Sequence, residues 1–351
     1  MNKQLTKNML AERMAYWWHA DNSPANYRYD LLDPARGLAA LAVVIFHRGT
    51  HPEFPSLFNW IAEYGEVGAN IFFVISGYVI YQSAERHFQK EGSGALFFLR
   101  KRVRRIYPPF WISLIFAFLV VPLLLHQTFS AADILSSATL TYSLFDLQAP
   151  QVVYWTLVNE QQFYLIMTIL ILPIFKQYRV WLILASSVVS MTYMLGIVSN
   201  WWVNSTIVSH WFEFLLGILV YFILWRRVSL WYSLPVFFVL VITGLTINYR
   251  TQAASLFALA ILCVYPLRVR ISSTRLFQFI KPLGVISYSL YLVHLLVFAL
   301  NDAVFQNILA PDSLGLYLSG IIFSLLGGVL FYWFFERPFL SNQQHKQTTV
   351  Y

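Results

Sequence analysis

Apolar runs long enough, or nearly so, to cross roughly 30 Å of hydrocarbon follow one another along almost the whole chain. They lie near 32–50, 67–84, 106–126, 153–175, 180–198, 206–225, 230–248, 252–267, 283–300 and 314–335. In lipid each backbone N–H and C=O must be satisfied within its own segment or in a closed barrel, so runs of this length and uniform apolarity fold as helices. The pattern predicts an all-α membrane protein, a polytopic bundle of about ten transmembrane helices. Composition agrees: the chain is 58% hydrophobic and 11% charged, far from the soluble average. Its 12 Trp and 21 Tyr suit helix ends at the headgroup level, where an apolar ring with a polar tip is best solvated.

A net charge of +8 in a soluble domain would suggest a nucleic-acid partner, but here the basic residues fall in short loops between apolar runs. Assigning the loops alternately to two sides puts Arg48 and Arg250 on one side and leaves Arg36 inside the first run. The other 21 of the 24 Lys and Arg share a side with both termini. By the positive-inside rule the N- and C-termini are cytoplasmic. Residues 1–30 then read as a cytoplasmic segment, 31–340 as the membrane domain and 341–351 as a cytoplasmic tail. No signal-peptide apolar stretch precedes the first run, and Met14 to Trp18 read as an interfacial turn. The longest external segment, about 127–151, holds a candidate interfacial or re-entrant helix near Ala131 to Tyr142. A single cysteine, Cys263, sits in an apolar run and reads as a packed residue.

Ionisable groups inside apolar segments cost roughly 2.5 to 3.5 kcal/mol each even on translocon scales, so each is a functional candidate. In LLDPARGLAALAVVIFHRG, Asp33 and Arg36 open the first span and His47 closes it, about 16 Å further along a helix. An interfacial Asp33–Arg36 pair with a snorkelling His47 is the alternative to a site. In FFLRKRVRRIYPPFW, Arg100, Lys101 and Arg104 read as a positive-inside anchor. Arg102 and Arg105 lie three apart on one helix face and offer two guanidinium forks suited to phosphate oxygens. YWTLVNEQQFYLI places Asn159, Glu160, Gln161 and Gln162 in one helical turn, with Glu160 the ionisable member. Glu213 lies one turn from His210 and Gly217, where helix packing explains it as well as function does. Ser287, Tyr288, Tyr291 and His294 recur at helical spacing, and His294 reads first as a hydrogen-bonded bundle residue. No HExxH spacing, GxxxxGK loop or GxGxxG turn occurs, so no metal site is expected.

These segments, in this order, resemble the acyltransferase 3 family of membrane-bound, acyl-CoA-dependent acyltransferases from about Leu32 to Phe339. LDPARGLAALAVVIFH is similar to the family opening LDGLRGIAALLVVLFH. GANIFFVISGYVI is similar to GVDLFFVLSGFLI with Asn70 in place of the acidic residue. RVRRIYP carries the RxxR, and WTLVNEQQFYLI matches WSLSVEEQFYLL with Gln161 in place of the second Glu. EFLLGI, ISYSLYLVH and FFERPF also look like family segments.

The resemblance implies an O-acyltransferase acting on a hydroxyl of a carbohydrate, such as exopolysaccharide or lipopolysaccharide, at the bacterial inner membrane. Acyl-CoA, with acetyl-CoA favoured, is the implied donor, and the acceptor is a carbohydrate that is lipid-linked in some relatives. His47 is the implied base and Glu160 the second catalytic candidate, orienting the imidazole or binding an acceptor hydroxyl. Arg36, Arg102 and Arg105 are the implied holders of coenzyme A. Direct transfer and a covalent acyl-histidine are both open. The rival class is a secondary transporter or flippase, in which the same groups would bind substrate or relay protons. Such proteins usually show inverted repeats or broken helices, and neither is visible here.

Overall fold

The computed structural model describes residues 31–89, 94–310 and 313–340. The expected terminal segments 1–30 and 341–351, with the Met14 to Trp18 turn, lie outside them. Every regular element among the described residues is helical. The apolar runs appear as α1 Leu32–Arg48, α3 Val67–Gln89 and α4 Ala95–Leu125, with the short α2 Ser56–Tyr64 between the first two. After α5 Ala131–Ala138 come α6 Trp155–Ile166, a π turn Met167–Ile171, α7 Leu172–Met194 and the short α8 Trp201–Asn204. The second half holds α9 Trp211–Leu224, α10 Leu230–Ile247, α11 Tyr249–Val264, the short α12 Arg268–Ser272, α13 Arg275–Phe305 and α14 Leu314–Phe331, which runs into a π turn Tyr332–Glu336.

Seven stretches among the described residues are long and apolar enough to cross a membrane: Val67–Arg86, Ala95–Leu125, Ile207–Leu224, Leu230–Ile247, Tyr249–Ser272, Arg275–Phe305 and Leu314–Leu340. The other three runs of the sequence are helical too. The first is α1, of 17 residues; the fourth covers α6, the π turn and the start of α7, and the fifth the rest of α7, which kinks where Tyr178 leaves helical geometry. Seven spans stand on length and hydropathy, and the count of ten with cytoplasmic termini remains an expectation of the sequence. One sequence reading is corrected: Cys263 is exposed rather than packed. It sits on a face of α11 turned away from the bundle, where a lipid-facing span needs apolar character and no internal partner.

α4 and α13 have 31 residues each, about 46 Å at 1.5 Å per residue, so both overrun the hydrocarbon. Arg102 and Arg105 lie in the first third of α4, ahead of Pro108 and Pro109.

Glycines set the two closest crossings. A Cβ on Gly284 of α13 would stand 2.0 Å from the carbonyl oxygen of Asp33, and one on Gly37 of α1 would stand 2.6 Å from the Gly284 nitrogen. Likewise a Cβ on Gly217 of α9 would lie 2.0 Å from the Val74 carbonyl oxygen, and one on Gly77 of α3 would lie 2.1 Å from that of Phe214. Small residues let membrane helices pack backbone to backbone. The consequence here is that α1, α13, α3 and α9 meet with their polar side chains held at fixed heights.

Candidate active site

Four of the candidate residues, Arg36, Arg102, Arg105 and Glu160, lie toward one end of α1. Arg36 Nη1 lies 3.8 Å from Asp33 Oδ1, one turn back. The other charges acting on Arg36 are those of Arg105, Glu160 and Glu336. Glu160, on α6, accepts hydrogen bonds from the Tyr164 hydroxyl at 2.6 Å and the Ser76 hydroxyl at 3.3 Å. Glu336, at the end of the second π turn and 2% exposed, accepts from the Ser289 hydroxyl at 2.5 Å. Arg102 lies over the rings of Phe98 and Tyr164, at 5.4 and 5.7 Å. Both Arg102 and Arg105 act electrostatically on Tyr164. A cavity of about 90 Å³ opens beside Arg102 between α4 and α6, lined also by Leu99, Val103, Tyr107, Leu157 and Gln161.

Arg36 thus pairs with Asp33 and lies within electrostatic reach of Arg105, Glu160 and Glu336. The balance keeps so much charge tolerable in a partly buried place. Neither Arg102 nor Arg105 has a hydrogen bond to a described residue, which leaves their forks available to an anionic ligand. Glu336 escaped the sequence reading because it lies three hundred residues from Arg36. Its signals are a carboxylate inside the apolar stretch LFYWFFERPF and its place in the family-like segment FFERPF.

His47 sits at the far end of α1. Its Nδ1 is 2.9 Å from the carbonyl oxygen of Val43 and 3.3 Å from Nε2 of His294, and the two rings have centroids 5.1 Å apart. His294, fully buried on α13, places its own Nδ1 2.8 Å from the Tyr291 carbonyl oxygen. These contacts assign the tautomers. His294 Nδ1 faces an acceptor and therefore carries the proton, which makes its Nε2 a lone pair. His47 Nδ1 then faces two acceptors, the Val43 oxygen and that lone pair, and is protonated as well. The basic nitrogen of His47 is Nε2, which no side chain of the described residues engages.

Arg48, the next residue, fixes the end of α1. Its Nη1 donates to Asp302 Oδ2 at 2.8 Å and its Nη2 to the Leu316 carbonyl at 2.7 Å, and it lies over the Phe298 and Tyr317 rings. The Tyr317 hydroxyl donates to the Gly49 carbonyl oxygen at 2.5 Å.

The two ends are linked along α13. Tyr288 donates to the Ile106 carbonyl at 2.9 Å, and Tyr291 donates to the Val153 carbonyl and accepts from Thr156, each at 2.9 Å. Tyr291 and His294 are one turn apart, with ring centroids separated by 5.8 Å. The structure therefore brings Arg36, Arg102, Arg105 and Glu160 together and sets His47 apart from them along α1. The side chain beside His47 is His294, whereas Glu160 bonds to Tyr164 and Ser76. No group of three or more His, Cys, Asp or Glu suited to a metal occurs among the described residues.

A family model described as an acyltransferase domain, Acyl_transf_3, matches residues 29–333, which takes in every candidate residue but Glu336. The chain belongs to the acyltransferase 3 family. Among curated relatives, the peptidoglycan O-acetyltransferase OatA of Listeria monocytogenes is 28% identical over 195 residues, covering 49% of this chain and 28% of the relative. A Haemophilus influenzae protein without an assigned activity is 30% identical over 124 residues, covering 31% of this chain and 51% of the relative. The chain thus aligns with about half or less of the length of the relatives it matches. No solved structure matches it.

Proposed function

We propose that this protein is a membrane-bound O-acyltransferase of the bacterial inner membrane, moving an acyl group, acetyl in the first instance, from acyl-CoA to a hydroxyl of a cell-surface or exported carbohydrate. The observation that carries the reading is the arrangement on α1: an imidazole with a free basic nitrogen at one end and a guanidinium cluster about 16 Å away at the other. Membership of the acyltransferase 3 family and the likeness to a peptidoglycan O-acetyltransferase supply the reaction class.

In this reading Arg102, Arg105 and Arg36 hold the phosphates of acyl-CoA at the cytoplasmic end, and the pantetheine arm, being long and largely uncharged, extends toward His47. Glu160 and Glu336 keep the guanidiniums oriented, their carboxylates pinned by Tyr164, Ser76 and Ser289. The acceptor hydroxyl gives its proton to His47 Nε2 as its oxygen attacks the thioester carbonyl. The C–S bond then breaks, and the coenzyme A thiolate leaves with the proton returned by the imidazolium. Histidine suits this exchange because its pKa lies near neutrality. His294 holds His47 in the tautomer that exposes Nε2, which is the role of an orienting group in other base-assisted acyl transfers.

The deciding experiment follows transfer of labelled acetyl from acetyl-CoA in proteoliposomes. His47→Ala is expected to lose roughly 10²- to 10⁴-fold in kcat, the usual contribution of a general base, with the protein still inserted. Wild-type turnover by that variant removes the base assignment, and no transfer by the wild-type protein to any carbohydrate fraction removes the function.

A further inference from the structure

A second polar cluster lies on the other side of α3 and α6 from His47. Glu213, 3% exposed on α9, accepts a hydrogen bond from the Asn70 amide at 2.7 Å through Oε1, and Asn70 is itself 3% exposed. Its Oε2 is buried and has no hydrogen-bond partner among the described residues. His210 Nδ1 lies 3.7 Å from Glu213 Oε1, beyond hydrogen-bond reach, and is likewise buried and unpartnered. The His210 ring is bracketed by Trp155 and Phe73, each with its ring centroid 4.9 Å away. Its side chain is 19% exposed against 4% for Glu213, so the cluster is approached past His210 and Trp155.

A buried carboxylate oxygen and a buried imidazole nitrogen without hydrogen bonds are costly, and a group that both donates and accepts, a hydroxyl or a water, satisfies the two together. An ammonium only donates and an anion only accepts beside a carboxylate. A hydroxyl donates to Glu213 Oε2 and accepts from a protonated His210 Nδ1 at once. The half-buried face of Trp155 adds an apolar wall of the kind on which the C–H face of a sugar ring packs. Adjacent residues tie this cluster to the first. Trp155 faces His210 while Thr156 bonds to Tyr291, and Phe73 faces His210 while Phe72 packs on Tyr291. Both clusters therefore lie at the same end of α3 and α6, on different faces of those helices.

We propose that Glu213, His210, Asn70 and Trp155 form an acceptor subsite that binds a hydroxyl-bearing sugar unit of an oligosaccharide, a unit further along the chain than the one acylated at His47. The inference rests on the acyltransferase reading. The carboxylate fixes the hydroxyl, the aromatic wall fixes the ring plane, and an acceptor of several sugars is held across the outer ends of the two helices. The subsite selects for length, since a single sugar at His47 does not reach it.

The test compares a soluble peptidoglycan tetrasaccharide with a monosaccharide, N-acetylglucosamine, as acceptors for the full chain in proteoliposomes with labelled acetyl-CoA. Glu213→Gln, and His210→Gln should the first insert poorly, is expected to raise KM for the tetrasaccharide about tenfold or more while KM for acetyl-CoA holds. The preference for tetrasaccharide over monosaccharide shrinks by the same factor. An unaltered preference in both variants overturns the subsite and leaves a buried water as the occupant. A rise in KM for acetyl-CoA matching that for the tetrasaccharide also overturns it, as the mark of a structural role. If the wild-type protein acylates neither sugar, the subsite is overturned for this acceptor, while the carbohydrate reading is decided by transfer to the wider carbohydrate fractions.

Discussion

In the proposed reaction His47 depends on two neighbours that are acceptors rather than acids. The Val43 carbonyl and His294 Nε2 both face its Nδ1, so the proton is held there and the opposite nitrogen stays basic. His294→Leu removes one of the two acceptors and lets the ring turn; a small misplacement of a catalytic group costs on the order of 10- to 100-fold. The expected result is a loss of that size in kcat with KM for acyl-CoA preserved, and partial recovery in His294→Gln, whose amide oxygen accepts in the same place. Toward the other end of α1, Arg102 stands against the Phe98 and Tyr164 rings, and neither it nor Arg105 has a hydrogen-bond partner among the described residues. Charge-assisted hydrogen bonds to phosphate are worth roughly 1.5 to 3 kcal/mol each. Arg102→Ala is therefore expected to raise KM for acyl-CoA by about tenfold or more, measured by initial rates at saturating acceptor, with KM for the acceptor held.

The elements are placed by backbone contact as much as by side chains. At Gly217 a methyl group would meet the Val74 carbonyl oxygen at 2.0 Å and the Tyr78 nitrogen at 2.8 Å. Those atoms belong to the α3 backbone and cannot swing aside, so α3 and α9 must part. Gly217→Ala is expected to cost roughly 1 to 3 kcal/mol, the usual penalty of overpacking, and to lower the temperature at which detergent-solubilised protein aggregates. Gly315→Ala, whose nearest neighbour would be Leu309 at 3.7 Å, is the silent control.

Outside the spans, α5 is held by a reciprocal cap. Asp133 accepts from the Ser130 hydroxyl at 2.7 Å, the Ser130 amide at 2.8 Å and the Gln148 amide at 2.8 Å, and these bonds hold its carboxyl below the usual carboxylate range, the Ser130 side chain contributing most. A depressed folded-state pKa stabilises the loop above the unfolded pKa of a carboxylate, and the gain is lost as pH falls through the folded value. Limited proteolysis of segment 127–151 is expected to be slow at neutral pH and to accelerate only below about pH 4. Asp133→Ala is expected to be cleaved fast at every pH.

For the whole molecule, the asymmetry of Lys and Arg predicts which loops face the cytoplasm. In a Cys263→Ser background, an impermeant maleimide added to intact cells is expected to label Asp146→Cys and to spare Ser273→Cys until the cells are broken. The reverse labelling would invert the topology and put the guanidinium cluster on the side without acyl-CoA.

The helical class, the membrane environment and the rows of candidate residues were all legible in the sequence, because each depends on local chain properties: apolar run length, charge placement, and motifs read along one helix. Arg36, Arg102, Arg105 and Glu160 stood out as costly charges, and Arg36 and His47 could be spaced on α1 from helical rise alone. What the chain order could not convey is which helices touch. His47 and His294 are 247 residues apart, Arg36 and Glu336 three hundred, and Asn70 and Glu213 143. Each pairing depends on glycine-mediated crossings whose partners are distant in sequence. Tertiary packing alone decided that His294, rather than Glu160, stands beside His47, that Glu336 joins the arginines, and that Glu213 and His210 are left with unmet hydrogen-bonding capacity.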